Sequence, residues 1–138
     1  MSLAILKITF FKKLIMKNKL ILHSKKLTEF PELPEGLIEF SVFDNQLEQI
    51  PDELWGQAQL QVLNLSCNQF KIISDKIGLL ADLRMIDLGH NLLVEIPGSI
   101  GKLSKLDSYL YLHDNKIEKL PAEICNLANL NYLNISGN

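Results

Sequence analysis

The side chains most able to do chemistry in this chain are its histidines, cysteines and aspartates. His90 and His113 are 23 positions apart, and Asp87 and Asp114 lie close to them in the sequence. Imidazole nitrogens and carboxylate oxygens both ligate transition metals, so these four residues could in principle form a metal site. Polar side chains that only face water at an exposed edge have the same composition and are far more common. We therefore predict no metal site.

Enzyme signatures are missing from the sequence. It contains no glycine-rich phosphate loop, no H-E-x-x-H, no paired C-x-x-C and no G-x-S-x-G. A catalytic thiol would need a basic neighbour and a pocket. The candidate base for Cys67 is His90, but we do not expect this pair to be catalytic. The sequence predicts a protein that is not an enzyme and that uses no cofactor.

Asparagine recurs at a nearly constant interval. Asn45, Asn68, Asn91, Asn115 and Asn138 are spaced 23, 23, 24 and 23 residues apart. Each closes an apolar frame, L-x-x-L-x-L-x-x-N, whose clearest copies are Leu37, Phe40, Val42; Leu60, Leu63, Leu65; Leu83, Ile86, Leu88; and Leu130, Leu133, Ile135. A fixed period of this length indicates a small unit stacked on copies of itself, because one unit cannot bury its apolar face alone.

Each unit has an outgoing and a returning part. The L-x-L alternation predicts a short strand with two apolar side chains pointing inward, and the strands of successive units should form a parallel sheet. A buried asparagine where the strand ends can bond unpaired backbone groups of neighbouring turns, which predicts a ladder of asparagines. The returning parts carry apolar residues three positions apart after Ser74, Pro97 and Pro121, which predicts short 3₁₀ helices.

This pattern resembles the leucine-rich repeat family from about Leu20 to Asn138. The resemblance implies an α/β solenoid, a horseshoe with a parallel concave β-sheet and with 3₁₀, short-helical or extended convex segments. We expect residues 1–19 to form an N-terminal capping segment and residues 20–138 to form about six units, the last truncated. In the first unit Pro31 and Pro34 predict an extended segment, similar to the shorter units of bacterial effector-type members, which favours a bacterial source.

Charge separates the N-terminal segment from the repeats. Residues 1–28 contain seven lysines and no acidic residue, whereas residues 29–138 contain seven basic and sixteen acidic residues. The repeats should therefore repel nucleic acid. The N-terminal segment is expected to form two short strands, with a turn at residues 17–19, that cap the solenoid. An arm that contacts an anionic membrane or a partner is the alternative.

The sequence favours a cytoplasmic location. The apolar runs near the N-terminus are broken by lysines and are too short for a secretory signal or a membrane span. Cys67 and Cys125 are expected to lie two units apart on opposite faces, beyond the reach of a disulfide, and unbridged cysteines suit a reducing compartment. The alternative is a secreted bacterial effector that acts in a host cytosol.

Function is expected at the outward-facing strand positions, because packing dictates the inward ones. The positions that we predict to bind a partner are Met85, Asp87, Tyr109, Tyr111, His113 and Tyr132. Tyrosine buries a large area at low entropic cost and is common at interfaces. Together with the resemblance, this surface implies a non-enzymatic module whose concave face recognises a protein or peptide that carries basic and apolar residues. The alternatives are the recognition part of a larger bacterial effector or enzyme, such as a ubiquitin ligase, and a structural scaffold or cell-surface protein.

One unit is longer than the others. Three residues separate Leu106 from Leu110, where the remaining units have two at this step. An extra residue that enters a strand forms a bulge and increases the local twist. We therefore expect a bulge that changes where Tyr109 and Tyr111 point.

The final unit has no returning part. Residues 130–138 should form a strand with an open edge above an uncovered apolar core, which is an unfavourable arrangement in a solenoid. We expect either that the chain belongs to a longer protein or that two chains pack end to end through residues 126–138 as a homodimer.

Overall fold

The computed structural model describes residues 15–16 and 18–138. In this part of the chain a seven-stranded sheet follows the order of the sequence, each strand lying beside the next. Its strands are β1 (Ile15–Met16), β2 (Lys19–Ile21), β3 (Glu39–Ser41), β4 (Val62–Asn64), β5 (Met85–Asp87), β6 (Tyr109–Tyr111) and β7 (Tyr132–Asn134). Strands β2 to β7 are parallel, one per unit. The predicted solenoid with a parallel sheet is confirmed.

The returning segments form four 3₁₀ helices of five residues each, namely η1 (Asp52–Gly56), η2 (Asp75–Leu79), η3 (Gly98–Lys102) and η4 (Ala122–Asn126). Proline precedes three of them with φ between −74° and −67°, close to the value that its ring imposes. Ser74 precedes η2 and instead caps it, because its Oγ accepts a hydrogen bond from the Lys76 N–H at 3.1 Å. As predicted, the first unit has no helix among residues 27–38 and runs in an extended path.

The core is a single column of apolar side chains between the sheet and the 3₁₀ helices. The central residue of each strand from β2 to β6 points into it, and Leu20, Phe40, Leu63, Ile86 and Leu110 have no exposed surface. Full burial of such a side chain contributes about 1.5–3 kcal/mol. In β7 the equivalent Leu133 is 38% exposed, and Ile135 beside it is 48% exposed. The flanking residues of β2 to β7 lie on the other side of the sheet, because side chains alternate along a strand, and they form the concave surface.

The five recurring asparagines follow the strands and bond one unit to the next. Asn91 shows the pattern: its Nδ2 donates to Leu65 O of the preceding unit at 3.0 Å and to Leu88 O of its own unit at 3.1 Å. Its Oδ1 accepts the Phe70 N–H at 3.1 Å. Asn45, Asn68, Asn91 and Asn115 are buried, whereas Asn138 makes the same bonds at an exposed position.

The residue before each asparagine has a left-handed backbone. The φ angles are 57° at Asp44, 54° at Cys67, 50° at His90, 51° at Asp114 and 68° at Gly137. This conformation costs a non-glycine residue roughly 1–2 kcal/mol. It turns the chain out of the strand and places these side chains along one rim of the sheet.

The extra residue of the long unit does not change the strand register. Ser108 forms a bend before β6, and Tyr109 and Tyr111 pair with Met85 and Asp87 as regular units would. The insertion is absorbed where the strand begins, because the Asn131 N–H donates to Asp107 O, one residue earlier than the regular pairing would require. The expectation that a bulge redirects both tyrosines was therefore wrong.

At the N-terminal end β1 pairs antiparallel with β2, joined by a turn in which Asn18 has a φ of 62°. Lys19, which we expected in the turn, is the first residue of β2. The remaining predictions for residues 1–14 and Lys17 lie outside the described residues, and the division between capping segment and repeats stays a prediction. Within the described residues no helix is long and apolar enough to cross a membrane. Both cysteines are free thiols, as predicted.

Candidate functional site

Strands β5 to β7 place the predicted binding residues side by side on the concave surface. Met85, Tyr109 and Tyr132 occupy equivalent positions in three successive strands, and Asp87 pairs with Tyr111 in the row beside them. We call Met85, Asp87, Tyr109, Tyr111, His113 and Tyr132 the concave patch. Tyr132 is 55% exposed and the other five side chains are half-buried. This partial exposure leaves each of them accessible while neighbours restrict its movement.

Tyr111 lies at the centre of an aromatic network. Its ring stacks on Tyr109 with centroids 4.7 Å apart and an interplanar angle of 19°. It also contacts His113 and Tyr132 edge to face, with both centroid distances 5.7 Å. Aromatic pairs of this kind contribute about 0.5–1.5 kcal/mol beyond their buried area, so the four rings hold one another in place.

Asp87 has a local structural role that the sequence reasoning missed. Its Oδ1 accepts the Gly89 N–H at 2.9 Å, and Asn64 and Asn134 accept equivalent bonds from the residue two positions later. Such bonds to the backbone two residues on are typical of Asp and Asn in turns. The signal available in the sequence was the recurrence of Asp or Asn at the third position of the strand.

Two side chains of the rim, His90 and Asp114, come together with His113 of the concave patch. His90 Nδ1 lies 3.4 Å from Asp114 Oδ2, and the His90 and His113 rings meet edge to face with centroids 4.8 Å apart. The candidate ligand atoms of His90, His113 and Asp114 all lie within 4.8 Å of one another. We call these three residues the rim cluster. Asp87, the fourth member considered from the sequence, is instead bonded to the Gly89 amide.

Charge on the sheet is unevenly neutralised. At the edge where the strands begin, Arg84 pairs with Asp107 and Lys105 pairs with Asp82. The hydrogen bond from Arg84 lowers the pKa of Asp107, and the same bond raises the pKa of Arg84. In the described part of the chain Asp87 has no Lys or Arg partner, and Asp114 has only His90. The carboxylates of Asp87, within the concave patch, and of Asp114, beside it, are therefore available to a cationic partner.

Cys67 lies on the rim one unit before His90. Burial, followed by the negative charges of Asp44 and Asp87, raises the pKa of its thiol above the ordinary value. A nucleophilic cysteine needs the opposite shift, because the thiolate is the reactive form. The environment of Cys67 therefore disfavours a catalytic thiolate.

Comparisons with known proteins identify the repeat. A leucine rich repeat family model matches residues 35–93, 58–108 and 82–138. The chain is 33% identical over 116 residues to the volume-regulated anion channel subunit LRRC8D of Rattus norvegicus. The aligned region covers 80% of this chain and 13% of that protein. The corresponding values for LRRC8A of Homo sapiens are 34% over 122 residues, 87% of this chain and 14% of that protein. The chain thus spans about one seventh of the length of these relatives.

Solved structures agree with this assignment. An LRR protein of Leptospira interrogans superposes with a TM-score of 0.75 at 34% identity, over 81% of this chain and 30% of that one. The LRR ectodomain of the receptor kinase SOBIR1 from Arabidopsis thaliana gives a TM-score of 0.74 at 28% identity, over 86% of this chain and 69% of that one. The matched family model covers most of the chain. The asparagine ladder and the parallel sheet agree with the repeat pattern and with the superposition on these structures. The chain belongs to the leucine-rich repeat family.

Proposed function

We propose that this chain is a recognition module that binds a protein or peptide through the concave patch. Leucine-rich repeat domains generally mediate protein–protein interaction. The location of the binding site on this chain is the specific part of the proposal. The observation that carries it is the aromatic network around Tyr111, which presents four rings on an open surface. Interface hot spots are enriched in tyrosine because a restrained ring buries much area at a low entropic cost.

The chemistry of the patch favours a partner segment that alternates apolar and basic side chains. Met85 and the tyrosines offer apolar area with polar tips, whereas Asp87 and Asp114 border this area with negative charge. A Lys or Arg in the bound segment would meet these carboxylates, which improves specificity and the association rate. The excess of acidic residues in positions 29–138 disfavours nucleic acid as the partner.

The setting of the module is a further part of the proposal. The alternative from the sequence is that the module is the recognition part of a larger protein; in the anion-channel subunits the matching region makes up 13% to 14% of the length. Its similarity to the Leptospira protein supports a bacterial source, and a cytoplasmic or effector-type location remains our inference from the sequence. The exposed Leu133 and Ile135 side chains support contact with another apolar surface. Residues 126–138 of a second copy of the chain could provide that surface.

In the test, wild-type and altered chains capture proteins from a lysate of the source organism. Mass spectrometry identifies the captured proteins, and the two sets are compared. The altered chain carries Met85→Ala, Tyr109→Ala and Tyr111→Ala together. A matched control, Ile72→Ala, removes an apolar side chain that is 75% exposed and lies outside the concave patch. We expect the control to capture the wild-type partner and the triple variant to lose it, since a hot-spot truncation costs about 2 kcal/mol or more.

Equal capture by the triple variant would refute the concave patch as the binding site. The titration of each chain with the purified partner then gives the affinity directly. Circular dichroism establishes that all three chains are folded, so that a lost interaction is not mistaken for unfolding. An affinity that changes equally in the control and the triple variant would also count against the patch.

A further inference from the structure

We propose that the rim cluster, His90, His113 and Asp114, binds one divalent transition-metal ion of the Zn²⁺ class. This departs from the sequence-based expectation of no metal, in which these residues only face water. The inference concerns the chain alone and does not depend on a protein partner. It rests on the spacing of the ligand atoms, on how the backbone holds them and on an unpaired buried nitrogen.

The spacing of the ligand atoms suits a tetrahedral ion. Ligands at 2.0–2.1 Å from Zn²⁺ are about 3.3 Å from one another in tetrahedral geometry. His90 Nδ1 and Asp114 Oδ2 are 3.4 Å apart, and one candidate ligand atom from each of the three residues lies within 4.8 Å of the other two. A shift of the His113 ring towards His90 and Asp114 would complete three ligands. The fourth position would remain open to water or to another molecule, as in zinc sites with three protein ligands.

The backbone fixes two of the three ligands in place. His90 and Asp114 occupy the same left-handed position of successive units, with φ of 50° and 51°. The His90 N–H donates to His113 O at 2.9 Å, and the Asp114 N–H donates to Ser136 O at 2.8 Å. The main chains of both residues are therefore fixed, and the contact between His90 and Asp114 already brings their side chains together.

The His113 ring fits over a glycine. A Cβ added at Gly89 would lie 2.3 Å from the His113 Cε1 and 2.7 Å from both ring nitrogens, so only glycine leaves room for this imidazole. His113 Nδ1 is buried and has no hydrogen-bond partner among the described residues. Buried polar atoms normally have a partner, and this unpaired nitrogen belongs to a ring that lies beside a second histidine and a carboxylate. An ion bound at Nδ1 would be the missing partner.

The donor set favours a transition metal over Mg²⁺ or Ca²⁺. Two imidazole nitrogens and one carboxylate oxygen suit Zn²⁺, Co²⁺ or Ni²⁺, whereas Mg²⁺ and Ca²⁺ prefer sites built from oxygen alone. The ion would lie at the edge of the concave patch, because its ligand His113 belongs to the patch and contacts Tyr111.

The test is isothermal titration of untagged, metal-stripped protein with Zn²⁺, and with Mg²⁺ in parallel. We expect one Zn²⁺ per chain and no measurable heat from Mg²⁺. Co²⁺ provides a second readout, since its visible absorption intensifies when it becomes tetrahedral. Three variants remove one ligand each: His90→Asn and Asp114→Asn, in which asparagine tolerates the left-handed backbone, and His113→Phe, which keeps a ring over Gly89.

The chain offers a matched control in its third histidine. His23 Nε2 bonds Ser41 Oγ at 2.6 Å, and its ring packs on Phe43 beside β3, away from the rim cluster. We expect His23→Gln to bind Zn²⁺ like the wild type. Each ligand variant should bind about tenfold more weakly or worse, since even residues that only support a ligand contribute that much.

Three results would overturn the proposal. The first is no saturable Zn²⁺ binding by the wild type. The second is wild-type affinity for Zn²⁺ in both His90→Asn and Asp114→Asn. These two variants are sufficient for the test even if His113→Phe fails to fold. The third is an equal loss in His23→Gln, which would mean that Zn²⁺ binds histidines without regard to the cluster.

Discussion

Asn91 allows the contribution of the asparagine ladder to be worked out atom by atom. Its amide donates to Leu65 O and Leu88 O and accepts the Phe70 N–H. In Asn91→Ala both carbonyls keep another donor, because the asparagines of the flanking units also bond them. The Phe70 N–H keeps no partner in the described part of the chain and is buried.

The size of the effect follows from these bonds. The Asn91 amide shares its two N–H groups among Leu65 O, Leu88 O and Gly89 O. Loss of these two donors costs about 1 kcal/mol each and one orphaned buried N–H about 1–3 kcal/mol, so Asn91→Ala should lower the free energy of unfolding by about 3–5 kcal/mol. This is a large part of the total stability of about 5–15 kcal/mol that is typical of folded proteins.

Asn138 provides the matched comparison. It accepts the Ile117 N–H at 3.0 Å and donates to Leu112 O at 3.0 Å and Ile135 O at 2.9 Å, which repeats the pattern of Asn91. Asn138 is exposed, however, so water can replace the lost bonds. Asn138→Ala should therefore cost less than about 1 kcal/mol.

Urea unfolding measures both values. The buried Trp55 in η1 provides a fluorescence signal, and circular dichroism provides an independent one. Coincident transitions support a two-state treatment, and the shift of the midpoint at constant m gives the change in free energy. Equal losses in the two variants, or a loss of less than about 1 kcal/mol for Asn91→Ala, would show that burial does not make the ladder stabilising.

Three further predictions concern separate features. Deleting Ser108 should restore a regular unit and keep the unfolding free energy within about 0.5 kcal/mol, because the strand register is already regular; a larger loss in the urea titration would contradict this. Iodoacetamide should modify the exposed Cys125 first, and Cys67 slowly at neutral pH but faster as the pH rises, since a raised pKa lowers its thiolate fraction; peptide mass spectrometry would refute this if both react alike. Pairing through residues 126–138 should raise the mass in light scattering from 15.7 kDa towards twice that value with concentration, and a constant 15.7 kDa would exclude it.

The periodic part of the fold was readable because packing dictates it. Each inward leucine and each asparagine fills a position set by the stacking of units, so Asn45 and Asn115 could be placed without a structure. The proline or serine that begins a returning segment restricts φ or caps the first turn, and three of the four 3₁₀ helices were predicted from this signal. The fourth, at Asp52–Gly56, carries the same signal in Pro51 and was not singled out.

The site was only partly readable because it depends on contacts between neighbouring units. Alternation placed Tyr109 and Tyr111 on the same face, but their stacking and the central position of Tyr111 depend on side-chain rotamers. The prediction of a bulge that redirects Tyr109 and Tyr111 failed because a residue count does not show whether an insertion enters the strand or precedes it. The closeness of His90, His113 and Asp114 depends on left-handed backbone angles that the sequence indicates at Gly137 alone.

The ladder and the sheet connect each unit only to its two neighbours, and this has a consequence for cooperativity. In such a linear array the total stability is approximately a sum of terms for single units and for adjacent pairs, so one weak junction lets the array open in two blocks. A segment bound across Met85, Tyr109 and Tyr132 would contact three successive strands at once. It would stabilise the two junctions between these units. In the bound protein, β5 to β7 should therefore open together, so that their amide hydrogens exchange as one cooperative block, whereas in the free protein opening should begin at β7.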